Sequence, residues 1–288
     1  LDQSRIYVQS SPFMKTLIRA DSSGSIGVGH IMRDIVLAQR LEGEIAFACI
    51  PLEGNIIDQI PYPVHTLMSN NPYELIELIR LNRYERIVFD HYGIDRNFEK
   101  KVKDATGIEI MVLDDTYEKH HCDILLNHNI SAKPQKYNSL VPKGCTLLCG
   151  EEHTLIRSEF IQEKSVVREK KYDLLIAMGG ADTANKILEI LPSTENLSVA
   201  IITTTANLHL PQLQTYAQTH PDVHLFINTS DVARIMNESK EAVLTPSGIV
   251  HEALFMGLPF KAIQTARNQD DMVEYLKTNG YTVLESIE

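Results

Sequence analysis

The chain has 288 residues, 43% of them hydrophobic, and its 38 acidic and 27 basic side chains give a formal net charge of −11 at pH 7. This length is sufficient for two domains of ordinary size. The negative charge excludes nucleic acid and anionic membranes as expected partners, because both attract a basic surface. It does not exclude a small phosphorylated ligand, since backbone N–H groups at helix N-termini bind anions without net positive charge.

Cysteine usage and hydropathy favour a cytoplasmic protein. The four cysteines include no C-x-x-C pair, which is the pattern of reduced thiols. The longest apolar runs have the length of strands and not of membrane-spanning helices. Residues 1–13 do not begin with Met, and a strand begins near Met14, so we expect residues 1–13 to be an N-terminal extension outside the fold.

Strands and helices alternate along the first half of the chain. The strand T-L-I-R-A (16–20) is followed by a loop of glycines and serines and by a helix that begins at His30. This alternation predicts a parallel sheet with helices on both faces. The later elements of this half are strands at 44–50, 61–67, 86–92, 108–115 and 122–127 and a helix at 73–81.

A break at 142–152 and a charged stretch at 163–171 precede a second run of alternating elements. We therefore predict an α/β protein with two Rossmann-like domains, 14–150 and 151–288, whose last helix crosses back toward the first domain. Ligands bind beyond the carboxyl ends of parallel strands, so the two sheets are expected to face a central cleft. The stretch 172–182 is predicted to contain a strand, a glycine turn and the start of a helix. The other predicted elements are strands at 197–205, 223–228 and 241–248 and helices at 249–256 and 272–278.

The stretch G-V-G-H (27–30) places a histidine at the start of a helix, directly after a strand and a loop of small residues. The positive end of the helix dipole disfavours a charged imidazole, so His30 is expected to be neutral and able to accept a proton. Arg33 and Asp34 follow on the same helix face. From their spacing, Arg33 could meet an anion and Asp34 could orient the imidazole.

Two stretches of the second half have the pattern of an anion site. M-G-G-A-D (178–182) places a glycine pair at the end of a strand, and P-S-G-I-V-H-E-A-L (246–254) begins a helix with Ser247 and Gly248. Backbone N–H groups of such turns bind phosphates. Glu252, in the first turns of that helix, could accept both hydroxyls of a ribose. Together the two stretches predict a site for a nucleoside diphosphate.

Other polar stretches carry weaker indications. Asp90, His91 and Tyr92 end a strand and are expected to reach the ligand site. The pair Asp114–Asp115 could suggest a metal, but neighbouring side chains of a strand point to opposite faces. The run H-H-C-D (120–123) has no second pair of ligands at usable spacing. We therefore expect no metal.

Six motifs in this order resemble a known family: D-S-S-x-S-I-G-x-G-H-x-x-R-D (21–34), D-H-Y-G-I (90–94), H-C-D-I-L-L-N (121–127), L-I-R-x-E-F (155–160), M-G-G-A-D (178–182) and S-G-I-V-H-E-A-L (247–254). They resemble the UDP-sugar hydrolases of pseudaminic acid biosynthesis, which act on UDP-2,4-diacetamido-2,4,6-trideoxy-β-L-altropyranose. The resemblance extends from Met14 to the C-terminus. That family has the two-domain GT-B fold and is related to the glycosyltransferase that forms lipid II.

The resemblance implies that UDP binds mainly to the C-terminal domain and that the sugar faces the N-terminal domain. His30 matches the histidine that activates water to attack the anomeric carbon, with cleavage of the C–O bond and inversion. The residues implied to contact the sugar are Asp21, Gly29, Arg33, Tyr92, Asn268 and Gln269. Those implied to bind UDP are Gly179, Gly180, Ala181, Asp182, Ser247, Gly248, Ile249, Val250 and Glu252. Neither a metal nor a cofactor is required.

Two alternatives remain at this point. A GT-B glycosyltransferase would use an acceptor hydroxyl in place of water, and it should carry an apolar or basic patch for that acceptor on its first domain. No basic amphipathic helix is evident there. A nucleotide-sugar binding protein without activity is the second alternative, and the presence of His30 with Arg33 and Asp34 argues against it.

Overall fold

The computed structural model describes residues 13–24 and 26–284. The chain divides into two compact units between Leu155 and Ile156. Almost all of the predicted N-terminal extension lies outside the described residues. Each unit contains a parallel sheet with helices in its connections, which confirms the predicted α/β class.

The first unit is a seven-stranded sheet in the order β3-β2-β1-β4-β5-β6-β7, and its strand pairs are parallel. Since β1 lies between β2 and β4, the connections diverge at β1 and leave a crevice at the carboxyl ends of β1 and β4. Its elements are β1 (Lys15–Ala20), α1 (Gly29–Ala38), β2 (Glu44–Cys49), β3 (Val64–Thr66), α2 (Pro72–Asn82), β4 (Arg86–Asp90), α3 (Arg96–Thr106), β5 (Glu109–Leu113), β6 (Ile124–Asn127) and β7 (Thr146–Cys149).

Both faces of this sheet are buried, as the near-continuous apolar strands require. Adjacent residues of β1 contribute to opposite cores, because side chains alternate across a strand. Ile18 packs with Ile31 and Leu37 of α1, whereas Leu17 packs with Leu75 and Ile79 of α2. Because helices pack on both faces of the sheet, β1 is held rigidly between them, and the polar residues at its carboxyl end have a fixed position.

The second unit repeats this plan with a six-stranded sheet in the order β10-β9-β8-β11-β12-β13, again with parallel pairs. Here β8 lies between β9 and β11, so the crevice is at their carboxyl ends. The elements are α4 (Ser158–Glu163), β8 (Tyr172–Ala177), α5 (Lys186–Ile190), β9 (Val199–Thr203), α6 (Leu210–Thr219), β10 (Val223–Ile227), α7 (Val232–Asn237), β11 (Ser239–Leu244), α8 (Gly248–Met256), β12 (Phe260–Ile263), α9 (Asp270–Thr278) and β13 (Thr282–Leu284).

Several elements are not predicted from the sequence, because they contain few apolar residues or are short. Helix α3 buries Val102, and Phe98 and Ala105 pack partly buried against the same core, but most of its other residues are charged or polar. Its N-terminus is capped by Asp95, which accepts hydrogen bonds from the N–H groups of Asn97 and Phe98. The strands β7 and β12 have four residues each. The predicted return of the last helix toward the first domain stays a prediction.

Candidate functional site

His30 is the second residue of α1 and lies at the crevice of the first sheet. Its side chain is 9% exposed, and its Nδ1 is 3.0 Å from the carbonyl oxygen of Asp90. A carbonyl oxygen only accepts hydrogen bonds, so Nδ1 carries the proton of the neutral ring and Nε2 is the basic nitrogen. Nε2 has no hydrogen-bond partner among the described residues. This tautomer is the one required of a base that faces a ligand.

Asp90 ends β4 and is fully buried beside His30. Its Oδ1 is 3.2 Å from His30 Nδ1, and its two carboxylate oxygens accept hydrogen bonds from Nε and Nη2 of Arg33, the first at 2.5 Å. Nη1 of Arg33 donates to Asp115 Oδ2 at 2.8 Å. The guanidinium is therefore committed to two carboxylates. The structure brings Asp90, and not Asp34, to the imidazole.

Tyr92 follows β4 and covers the other side of His30. Its ring meets the imidazole edge to face, with the ring centroids 4.7 Å apart, and its hydroxyl donates to Asp115 Oδ1 at 3.0 Å. Partial burial and the charge of Asp115 raise the pKa of Tyr92 to about 12. Tyr92 is nevertheless 67% exposed. It can therefore contact a ligand while Asp115 holds its hydroxyl.

Asp21 follows β1 and is held by donors from three sides. It accepts hydrogen bonds from Arg19 at 2.6 and 2.8 Å, from the N–H of Ile50 at 2.7 Å and from His91 Nε2 at 3.1 Å. Burial alone would raise the pKa of Asp21, but the hydrogen bonds from His91 and Arg19 outweigh burial and hold it well below its usual range. Asp21 is 2% exposed, so its main contacts are within the protein.

His91 and His30 differ in the nitrogen that carries the proton. The N–H of Gly93 donates to His91 Nδ1 at 2.9 Å, which leaves Nε2 to donate to Asp21. Both nitrogens of His91 are therefore occupied. Of these two histidines at the edge of the first sheet, His30 is the one whose basic nitrogen is open to a ligand.

A buried polar network lies behind Asp115. The carboxylate of Asp114 accepts hydrogen bonds from Thr116 and from the hydroxyl of Tyr137 at 2.8 Å, and it forms an ion pair with His120 at 3.8 Å. His120 Nδ1 is 2.6 Å from Glu99 Oε1. Burial would lower the pKa of His120, but Asp114 and Glu99 outweigh it and raise the pKa to about 9. This network fixes the turn that presents Asp115.

In the second unit, the loop after β8 presents backbone groups at the crevice. The carbonyl of Gly180 accepts hydrogen bonds from Thr203 Oγ1 and from the N–H and hydroxyl of Thr204, at 2.9 to 3.1 Å. The N–H groups of Gly180 and Ala181 find no acceptor within the described part of the chain. A Cβ on Gly180 would lie 2.8 Å from Thr204 Cγ2, so this close approach requires glycine.

The start of α8 adds a second set of donors. Ser247 precedes the helix, and its side chain does not cap it. The N–H groups of Gly248 and Ile249, in the first turn of the helix, donate to no acceptor among the described residues. The N–H of Val250 donates a hydrogen bond to the carbonyl oxygen of Ser247 at 2.9 Å and is therefore not available to a ligand. Because β8 and β11 are paired, the two sets of donors lie at neighbouring strand ends. Such a cluster of unpaired backbone donors is a candidate anion site.

Glu252 is buried one turn along α8 and is paired with Arg157 of the same unit. Its two oxygens accept hydrogen bonds from Arg157 Nε at 2.6 Å and Nη2 at 2.9 Å. Burial raises the pKa of Glu252 although the guanidinium opposes this shift. Each carboxylate oxygen retains a lone pair beyond the one used by Arg157. Arg157 has no sequence signal of its own beyond the L-I-R motif.

The remaining predicted residues occupy different environments. The carboxylate of Asp182 accepts hydrogen bonds from the N–H groups of Lys186 and Ile187 at 2.9 and 3.0 Å, so it faces α5. This helix begins at Lys186, four residues later than predicted. Gln269 bridges Thr245 and Thr265. Asn268 and Gly29 are exposed.

No group of three or more histidine, cysteine, aspartate or glutamate side chains within 13–24 and 26–284 is arranged to hold a metal ion. Over the same residues, no helix has the length and apolar character needed to span a bilayer.

The fold resembles those of a solved glycosyltransferase and a solved epimerase. A glycosyltransferase from Rickettsia africae is 10% identical, with a TM-score of 0.61, 96% of this chain covered and 85% of that chain. The UDP-GlcNAc 2-epimerase of Methanocaldococcus jannaschii is 11% identical, with a TM-score of 0.51 and 92% of each chain covered. At these identities the likeness concerns the fold alone, and it confirms the predicted GT-B class. No family model matches the chain.

Sequence similarity is more specific. The UDP-2,4-diacetamido-2,4,6-trideoxy-β-L-altropyranose hydrolase of Campylobacter jejuni subsp. jejuni is 46% identical over 273 residues, which cover 94% of this chain and 98% of the relative. This similarity includes both sheets and both crevices. The chain therefore belongs to the family of the UDP-2,4-diacetamido-2,4,6-trideoxy-β-L-altropyranose hydrolases.

Proposed function

We propose that this protein hydrolyses UDP-2,4-diacetamido-2,4,6-trideoxy-β-L-altropyranose to the free sugar and UDP. The observation that carries the proposal is the 46% identity to a relative of that name along nearly the whole chain. The fixed tautomer of His30 supports it, because hydrolysis at neutral pH requires a base that can take a proton from water.

His30 is assigned the role of general base. Its Nε2 accepts a proton from water as the water oxygen attacks the anomeric carbon, and the bond between that carbon and the phosphate oxygen breaks. UDP leaves with the bonding electrons, and the β-linked sugar becomes the α-anomer. The protonated imidazole is stabilised by Asp90, whose Oδ1 is 3.2 Å from Nδ1. UDP is a stable leaving group, so no second carboxylic acid is needed to protonate it.

The second unit is assigned to UDP. The N–H groups of Gly180, Ala181, Gly248 and Ile249 are placed to donate to the diphosphate, and this stabilises the charge that develops as UDP departs. The exposed Gly179 and the hydroxyl of Ser247 adjoin these donors. The N–H of Val250 donates to the carbonyl of Ser247 and so stabilises the first turn of α8. Asp182 contributes by its backbone, because its carboxylate caps α5. Glu252 accepts the ribose hydroxyls with the lone pairs that Arg157 leaves.

The residues predicted to contact the sugar fall into two groups. Tyr92, Asn268 and Gly29 are exposed and are assigned to direct contact. Asp21, Arg33 and Gln269 are engaged by protein partners and are assigned to holding the pocket in shape. Neither a metal nor a cofactor has a role in this scheme, and the product UDP and the sugar nucleotide are the only small-molecule partners that it requires.

The test is a time course by NMR with this UDP-sugar in ¹⁸O-labelled water and EDTA, without an acceptor. We expect UDP and the α-anomer of the free sugar to form together, with ¹⁸O in the sugar. Label in the phosphate of UDP would show attack at phosphorus and would contradict the role of His30. Loss of turnover in EDTA would contradict the metal-free scheme.

The same experiment separates the two alternatives. A substrate that binds and stays intact excludes hydrolysis and leaves a glycosyltransferase or a binding protein. Addition of candidate hydroxyl acceptors to that sample would then distinguish these two, since only the transferase releases UDP.

A further inference from the structure

Asp34 is a buried acid that the proposed mechanism does not use. It lies on α1, one turn after His30, and is 0% exposed. Neither of its carboxylate oxygens receives a hydrogen bond from the described residues. An ionised carboxylate in that position would lose its hydration and gain no donor, which is a large penalty.

The neighbours of Asp34 make the ionised form still less favourable. Its carboxyl group interacts with that of Asp90, and two ionised carboxylates repel each other and have no proton to share. The guanidinium of Arg33, whose positive charge favours the ionised form of Asp34, is already divided between Asp90 and Asp115. The thiol of Cys49 also senses the charge of Asp34. Burial raises the pKa of Cys49 to about 12, so the thiol is neutral.

We propose that Asp34 is a neutral carboxylic acid that donates a hydrogen bond to Asp90 and so positions Asp90 against Arg33 and His30. This extends the proposed function, because it gives the catalytic histidine a support from within its own helix. Asp34 touches no substrate and is a positioning residue. Burial and the charge of Asp90 raise its pKa well above the ordinary value, in the direction this role requires.

The assignment fixes the charge of the site. With Asp34 neutral, Arg33, Asp90 and Asp115 together carry one net negative charge. The imidazolium that His30 becomes when it takes the proton from water balances that charge. An ionised Asp34 would add a second negative charge beside Asp90, and the imidazolium would no longer balance the charge of the site.

The test compares Asp34→Asn with Asp34→Leu. The two replacements have nearly the same shape and no charge, and only Asn has an N–H that can donate to Asp90. We expect D34N to retain kcat within about threefold and D34L to lose about tenfold or more, the effect of one charge-assisted hydrogen bond, with equal affinity for UDP. Equal losses in both variants would overturn the proposal, as would a large loss in D34N.

An infrared difference spectrum of the wild type against D34N, near pH 7.5, makes the test independent of activity. We expect the carbonyl band of a protonated carboxylic acid in the wild type and its loss in D34N. If the difference spectrum shows no such band, Asp34 is ionised in the wild type. That result would overturn the proposal even if D34L fails to fold. Should the wild type not hydrolyse the UDP-sugar, the proposed function fails, and the infrared result still decides the state of Asp34.

Discussion

The two sheets have the same strand order around their crevices but fill them with different chemistry. The first edge carries charged side chains, with Arg33 between Asp90 and Asp115 and His30 beside them. The second edge carries glycines and open N–H groups around Gly180 and Gly248. Topology therefore determines where a site can form, and the loop residues determine whether its chemistry suits proton transfer or anion binding.

The largest effect that would test this contrast comes from His30→Ala. Loss of a general base should lower kcat about 10²- to 10⁴-fold. The affinity for UDP should be unchanged, because the donors proposed for UDP belong to the second unit. Turnover of the UDP-sugar and calorimetric titration with UDP measure the two quantities. His220→Ala, at an exposed position of the second unit, is the matched control. A parallel loss of UDP affinity would show that the two edges are not independent.

The next effect concerns stability and belongs to the first unit. A folded-state pKa of about 9 for His120, against 6.5 in the unfolded chain, contributes up to about 3 kcal/mol. Because the folded pKa is raised, this stability is fully present below pH 6.5 and is lost as the pH rises through 9. We expect His120→Gln to flatten the decline of unfolding free energy between these values. His121→Gln is the control, since the hydrogen bond from residue 121 to Glu99 comes from the backbone. An unchanged slope in H120Q would contradict the assignment.

The third effect should appear in binding. Gly180→Ala places a Cβ 2.8 Å from Thr204 Cγ2 and 3.0 Å from its Oγ1, so the loop must move and its N–H groups turn. We expect UDP to bind about tenfold more weakly, the equivalent of one hydrogen bond. Thr204→Ala in the same chain should recover part of the loss by removing both contacts. Gly144→Ala, where a Cβ meets nothing within 4 Å, is the control. Undiminished affinity in G180A would remove this loop from the UDP site.

The smallest effect is expected for Tyr92→Phe. This change removes the hydrogen bond to Asp115 and leaves the ring against His30. Because Tyr92 is largely exposed, the loss in kcat/KM should be about two- to tenfold. Tyr73→Phe, at an exposed position on α2, is the matched control. A loss as large as that of H30A would mean that the hydroxyl itself takes part in the reaction.

Much of the fold could be predicted from the sequence because its strands are strongly apolar and are separated by small-residue turns. The first strand, the first glycine loop and α8 were placed within one residue of their observed starts. Helix α3 could not be found in this way, because most of its residues are charged or polar and only Phe98, Val102 and Ala105 pack against the apolar core. The late start of α5 follows from Asp182, whose carboxylate accepts two N–H groups of the helix.

The candidate site divides in the same way. The sequence by itself determined the α/β class, the histidine at the start of α1 and the glycine turn of the second half, because each depends on neighbours in the chain. The tertiary structure alone decided that Asp90 and not Asp34 meets His30, that Arg33 binds two carboxylates and that Arg157 holds Glu252. The reason is physical: these contacts join strand ends and helices that are distant in the sequence, and parallel pairing brings them to one edge.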